Sequence, residues 1–368
     1  MKKLSKKNLW YWPILSKKRG ESALTEKKKK KEEKKSKDPA SNKFYEIKAP
    51  RVFSLLDIKQ RADVINFLKK IRQNTLKKPH KPTRIDFRQT EKMVSCGTLL
   101  FIAELDRILR ATDNAVEIRC RMPKDKIVKQ VLQQVGILNL LKRYPRIKNE
   151  FDASVKHWHF ATGIQTDATD FDSILTEMEG KITPKLSTSI FKGVTEAMTN
   201  SCHHAYEETR NDELGRLEEK RWWMFSQEHE GKISVTFCDL GIGIPRSIPK
   251  ETKESVGWRA TLSSFMENFR SDQQEPALIK AAIEIGKTRT NKPNRGLGLK
   301  QIVETIDATD GGNIFIFSNY GVYGINSNKK CKAKEILIQY SDSIMGTLIQ
   351  WNMPIATKVV NHGKNNCD

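Results

Sequence analysis

The chain has 368 residues, which at roughly 150 residues per domain provides for about two to three domains, and its content is 38% hydrophobic and 30% charged. The formal charge of +22 is unevenly spread: residues 1–43 hold 15 Lys and one Arg against four Glu and one Asp, a surplus of 11 and half the excess. No run of about 18 apolar residues occurs, which excludes an ordinary membrane-spanning helix.

From Lys27 to Lys37 the chain reads KKKKKEEKKSK. Such a block cannot bury enough apolar surface to offset chain entropy, so residues 1–43 are predicted to be a disordered basic tail. Two roles are open to it. One is attachment to nucleic acid, ribosome, anionic lipid or another polyanion, with Trp10, Tyr11 and Trp12 adding stacking or interfacial contacts; the other is simple solubilisation. Leu9 to Leu15 is too short and Trp-rich for a signal segment. Cys96, Cys120, Cys202, Cys238, Cys331 and Cys367 show no CxxC spacing, which argues against a disulfide framework or a zinc site and for a reduced, cytoplasmic protein.

Residues 44–145 alternate helix-like and strand-like periodicity. Helices are expected over Asp57–Ile71, Thr98–Arg110 and Ile127–Val135, and strands over Thr83–Phe87 and Ala115–Cys120, the signature of a small α/β domain. RIDFRQTEKMVSCGTLLFIAEL, followed by VEIRCRMP and VLQQVGILNLL, resembles the STAS fold of anti-sigma factor antagonists. In that family the regulatory phosphoserine precedes the glycine of a Ser-Ser-Gly turn. Here Cys96 holds that place before Gly97, with Ser95 as the fallback acceptor; the alternative is that Ser95 to Gly97 simply form a turn into the helix. After a connector over 146–170, His157 and His159 in VKHWHF alternate as strand residues.

Three motifs then follow in order. VTEAMTNSCHHAYEE, Val194 to Glu208, lies in a helical stretch beginning near Ser187 and places Glu196 and Asn200 on one helical face, which His204 continues. A carboxylate beside an amide suits a magnesium phosphate, the amide oxygen completing the octahedron and the carboxylate acting as base. KISVTFCDLGIGIP, Lys232 to Pro245, reads as a strand that breaks at Asp239 into Gly241 and Gly243. An Asp there can accept from an adenine amine while the glycines admit the base. NRGLGLKQIVETI, Asn294 to Ile306, places Arg295, Gly296, Gly298 and Lys300 at a helix start, where free N–H groups and charge can cradle phosphates.

Together these stretches, with GGNIFIFSNYGVYGI from Gly311 and GTLIQWNMP from Gly346 to Pro354, resemble the Bergerat-fold, histidine kinase-like ATPases over residues 171–356, closest to the anti-sigma factor serine kinases. The resemblance implies Glu196 as general base, Asn200 as magnesium ligand and Asp239 as adenine reader. It further implies Gly241 and Gly243 lining the base, Gly296 and Gly298 at the phosphates, with Arg295 or Lys300 free to add charge there, Thr347 near the adenine, and a lid from about Arg246 to Asn294 with a helix over Glu275–Gly286. No phosphoacceptor hairpin of the sensor kinases is visible, and the short stretch after Pro354 leaves no room for a transducer domain.

The expected fold class is α/β, an α+β sandwich: a STAS-like βα domain, then an ATPase domain whose mixed sheet is backed by helices, then a C-terminal tail over 357–368. The expected function is an ATP- and Mg-dependent signalling protein of the partner-switching kind. It would hydrolyse ATP or transfer its γ-phosphate to a Ser or Thr of a protein partner, such as a regulator of transcription, with a dimer among its assembly states. The competing expectation is an ATP-gated binding switch without transferase activity, held on a polyanion by its tail.

Overall fold

The computed structural model describes residues 43–76, 81–142, 151–156, 158–166, 181–214, 219–229, 231–251, 256–285, 298–328 and 331–355. Residues 1–42 of the basic tail and the C-terminal tail lie outside the described residues.

The N-terminal module is built on β1 (Tyr45–Lys48), β2 (Val52–Phe53), β3 (Thr83–Asp86), β4 (Lys92–Met93) and β5 (Ile118–Arg121). Strands β1, β3 and β5 form a three-stranded parallel sheet, with Ile47, Ile85 and Cys120 aligned across its centre. Parallel neighbours need crossover connections, and the helices Ile58–Leu76 and Ser95–Ala111 supply them. The third expected helix runs over Lys126–Gln134, where the Asp125 carboxylate accepts the Val128 N–H at 2.8 Å and caps the first turn.

The rest of the sequence builds a seven-stranded sheet from β6 (His159–Gly163), β7 (Trp222–His229), β8 (Lys232–Asp239), β9 (Asn313–Ser318), β10 (Gly321–Asn328), β11 (Cys331–Gln339) and β12 (Thr347–Pro354). Its order is β11-β10-β9-β12-β8-β7-β6, so the last strand inserts between β9 and β8. Every pairing in this sheet is antiparallel. Parallel pairing is confined to β1-β3-β5 and the short pair β2-β4, so the mixed sheet expected in the second domain is corrected: that sheet is antiparallel throughout. The expected connector supplies β6, which begins at His159; His157 lies outside the described residues.

Both faces of the large sheet are covered. On one face the helices Pro184–Asn200, Gln274–Glu284 and Gly298–Asp307 pack against Ile233, Val235, Phe237, Ile314, Ile316, Ile349 and Trp351. On the other lies the N-terminal module, whose core is continuous with Trp223, Phe225, Cys238, Phe317 and Leu348. The helix Ser95–Ala111 is the shared layer. It packs on β7 and β8, and residues 95–109 are all buried. A helix covered on every side needs no polar face, which explains its run SCGTLLFIAEL.

At the start of that helix Ser95, Cys96 and Gly97 are packed between the two sheets. Ser95 and Cys96 are 1% and 0% exposed, and Gly97 is buried. Ser95 Oγ is 3.5 Å from Ser234 Oγ on β8, and the Leu55 N–H points at Cys96 Sγ at 3.4 Å. A Cβ on Gly97 would lie 2.5 Å from the Phe53 carbonyl carbon, so only glycine lets the end of β2 approach the helix. Burial also pushes the Cys96 thiol up to about 11. These residues form a packing joint, and neither candidate acceptor is open to a kinase in this fold.

Opposite charges cross the same interface. Glu104 is paired with Arg72 at 3.2 Å and with Arg210, while Arg107 pairs with Asp212 and Arg72 reaches Glu213 at 3.4 Å. Burial raises the Glu104 carboxyl, but Arg210, Arg72 and Arg107 outweigh it and hold the group below the ordinary range. Arg210, Asp212 and Glu213 come from the segment that follows the Glu196-bearing helix, and Trp223 Nε1 donates to Asp106 at 3.1 Å. The two halves are therefore joined by buried ion pairs as well as apolar surface.

Candidate functional site

Side chains alternate across a strand, so Asp239 falls on the same face of β8 as Ile233, Val235 and Phe237, the face covered by helices. Asp239 is in register with Thr347 of β12, and Thr347 is in register with Ser318 of β9. The three polar residues therefore stand in a row at one end of the helix-covered face, and each is buried. Ser318 Oγ lies 3.1 Å from Thr347 Oγ1 and accepts the Ile244 N–H at 2.9 Å. The Asp239 carboxylate accepts the Gly241 N–H at 3.0 Å. Burial drives its pKa up to about 6, against the opposing backbone N–H groups of Gly241 and Thr347 and the more distant Arg210.

The loop after Asp239 is held closely. Gly243 has φ +80°, and a Cβ there would come within 2.5 Å of the Asn319 amide. That amide donates to the Ile242 carbonyl at 2.8 Å. Gly241 sits against the Ala205 carbonyl with no room for a Cβ, and the same carbonyl accepts the Ile242 N–H at 2.7 Å. Both glycines are thus required by the close approach of protein groups, Ala205 at Gly241 and Asn319 at Gly243.

Glu196 and Asn200 occupy the last turns of the Pro184–Asn200 helix, which Thr183 caps by accepting the Leu186 N–H at 3.3 Å. Its Leu186, Ile190, Val194 and Met198 side chains enter the core on the face that carries Asp239. Glu196 is partly exposed and Asn200 exposed, and neither side chain has a hydrogen-bond partner among the described residues. The α-helix ends at Asn200 and widens into a π turn over Ser201–Ala205. This wider turn shifts the helical phase, so the expectation that His204 continues the Glu196–Asn200 face is corrected. His204 Nδ1 instead faces Glu207 Oε1 at 3.4 Å. The π turn also delivers the Ala205 carbonyl to Ile242, the physical link between the first and second motifs.

Of the third motif, Gly298 opens the helix Gly298–Asp307. That helix packs on the Pro184–Asn200 helix, with Ser189 Oγ 3.0 Å from Thr305 Oγ1. Arg295 and Gly296 lie outside the described residues. The lid expectation is corrected in one part. The helix Gln274–Glu284 belongs to the fixed helical layer, because Ala277, Ile279 and Ala281 are completely buried and Glu275 accepts the Tyr320 N–H at 2.6 Å.

No family model matches the chain, and no curated protein matches it. What the site can bind follows from its own chemistry. Two of its residues carried no sequence signal for a site: Tyr206, whose hydroxyl accepts the Leu240 N–H at 3.0 Å and donates to the Arg221 carbonyl, and Ser318. Asn319 had a weaker signal, since Ser-Asn-Tyr-Gly between two strand patterns marks a turn, and Asn319 adopts φ 49°.

Proposed function

We propose that this chain binds Mg-ATP with the adenine at Asp239, and that it works as an ATP-dependent signalling protein of the Bergerat-fold kind. The observation that carries the reading is the buried row Asp239, Thr347 and Ser318 beside the Gly241–Gly243 loop, joined through Ala205 to the helix that bears Glu196 and Asn200. A buried carboxylate that titrates near 6 is ionised at neutral pH and open to an exocyclic amine donor. Glu196 and Asn200, whose side chains have no hydrogen-bond partner among the described residues, suit groups that act on a phosphate end. Among the described residues no three or more His, Cys, Asp or Glu side chains gather as a metal site. A magnesium ion would accordingly be held chiefly by nucleotide and water, with the Asn200 oxygen as protein ligand, and would supply charge neutralisation at the phosphates. Gly298, with Arg295 and Gly296, would complete the phosphate end.

Glu196 is the residue proposed to accept a proton from a nucleophile, either water or the hydroxyl of a protein partner. That acceptor lies elsewhere than Ser95 or Cys96, which are buried against the opposite face of the sheet from Asp239. This burial favours two forms of the reading: transfer to a separate partner, and a nucleotide-gated switch with hydrolysis alone. The free thiols of Cys96, Cys120, Cys202 and Cys238 suit a cytoplasmic setting. No helix among the described residues is long and apolar enough to cross a membrane.

Calorimetric titration of the full chain with Mg-ATP tests the binding. We expect saturable heat in the wild type and its loss in Asp239→Asn; a wild type without heat ends the nucleotide reading. Phosphate release and phosphoprotein formation, each compared with Glu196→Ala, then separate hydrolysis from transfer.

A further inference from the structure

The loop after Asp239 is held by a chain of contacts that begins in the N-terminal module. Arg61, on the helix Ile58–Leu76, is 1% exposed. Its guanidinium leaves its own module and donates through Nη2 to the Asn319 carbonyl at 2.9 Å and to the Asp342 carbonyl at 3.0 Å, with Nε on the same Asp342 oxygen at 3.3 Å. It lies over the Tyr340 ring, 4.3 Å from the centroid, and the Tyr340 hydroxyl donates back to the Leu56 carbonyl at 3.0 Å.

Asn319 is a four-way junction in the left-handed conformation. Its N–H donates to the Gly346 carbonyl at 3.1 Å and its carbonyl also accepts the Ile344 N–H at 3.0 Å. Its side chain fills the space beside Gly243 and donates to Ile242. A non-glycine residue with positive φ persists where its surroundings hold it. Here the holding groups are Arg61 on one side and Glu275, through Tyr320, on the other.

We propose that Arg61 is a positioning residue for the Leu240–Gly243 loop, so that the docked N-terminal module is a working part of the site and not an appended partner. The guanidinium fixes the Asn319 backbone, Asn319 fixes Ile242 and Gly243, and the loop in turn sets the donors around Asp239. The name of the loop's ligand rests on the nucleotide reading; the coupling does not.

The test is hydrogen exchange on the full chain without nucleotide, in wild type, Arg61→Gln, Arg61→Lys and Thr98→Val. The amides of Gly241, Ile242 and Ile244 report the loop, since each donates a bond in this network. Loss of a charge-assisted bond at the junction speeds their exchange by about tenfold or more in Arg61→Gln. Arg61→Lys keeps the charge but not the fork, and falls between Arg61→Gln and wild type. Thr98→Val, on the buried helix of the same module, leaves the three amides as they are. Wild-type exchange at these amides in Arg61→Gln overturns the proposal. If that variant does not fold, wild-type exchange in Arg61→Lys does so. A parallel Mg-ATP titration separates the two claims. Loop exchange that responds to Arg61 in a protein that takes up no Mg-ATP sinks the nucleotide reading and keeps the coupling.

Discussion

The Tyr206 hydroxyl and the Leu240 N–H are 3.0 Å apart, and this bond fastens the end of the Glu196-bearing helix to the strand end that carries Asp239. Burial and the nearby Asp239 charge push the phenol well above its usual range, so it stays neutral and keeps its proton for the Arg221 carbonyl. Tyr206→Phe strands a buried N–H and a carbonyl together. We expect a loss of about 1–3 kcal/mol for unsatisfied buried groups, measured by urea denaturation, with weaker Mg-ATP binding in the same variant.

Asp239 gives a pH signature of definite sign. Its carboxyl is raised from 3.8 to about 6, so the folded state holds a proton that the unfolded chain releases. Its contribution therefore falls as pH climbs from about 4 to about 6, and the cost is complete above that window, on the order of 3 kcal/mol. Asp239→Asn does not titrate. Plotted against pH, the stability difference between wild type and Asp239→Asn should slope across that window and level off above it. A flat difference would show that the carboxyl is not raised.

Glu104 runs the other way. Its carboxyl is held below 4.5, so its stabilisation is present above the ordinary carboxylate range and is lost as pH falls through the lowered value. Removing one partner of a buried pair leaves an uncompensated charge, which costs about 3–5 kcal/mol. Glu104→Gln leaves Arg210, 3% exposed at its side chain, with only the longer 3.6 Å contact to Asp212. We expect a loss of that size at pH 7 by chemical denaturation, narrowing toward low pH.

Gly97→Ala tests the packing joint. The added methyl meets backbone at 2.5 Å, which cannot swing aside as a side chain can. Overpacking of this kind costs about 1–3 kcal/mol or more, and the melting temperature should drop accordingly. Ser95→Ala, by contrast, removes only a 3.5 Å contact and should leave stability nearly unchanged.

The elements most legible in the sequence are those whose apolar residues keep to one face. The helices near 58–76 and 126–134 and the strand before Asp239 follow from apolar spacing alone. Strand β7 escaped, because Trp222 and Met224 enter one core while Trp223 and Phe225 enter the other, and a strand covered on both faces shows no alternation. Asp239, Gly241 and Gly243 stood out because a strand breaks there into a glycine-rich turn, whereas Thr347 was joined to them only through the family resemblance. Arg61 had no such signal. It reads as one more basic residue on a helix, and its partners lie 258 and 281 residues away. The π turn at Ser201–Ala205 was equally hidden, since SCHHA has nothing in composition to distinguish it from ordinary helix.

The place of β12 has a consequence for biosynthesis. Asp239 and Ser318 are bridged by Thr347, on the last of the described strands, which must enter between β8 and β9, each already paired in sequence with a neighbour. A polypeptide that stops short of β12 carries every earlier motif but not the row of Asp239, Thr347 and Ser318.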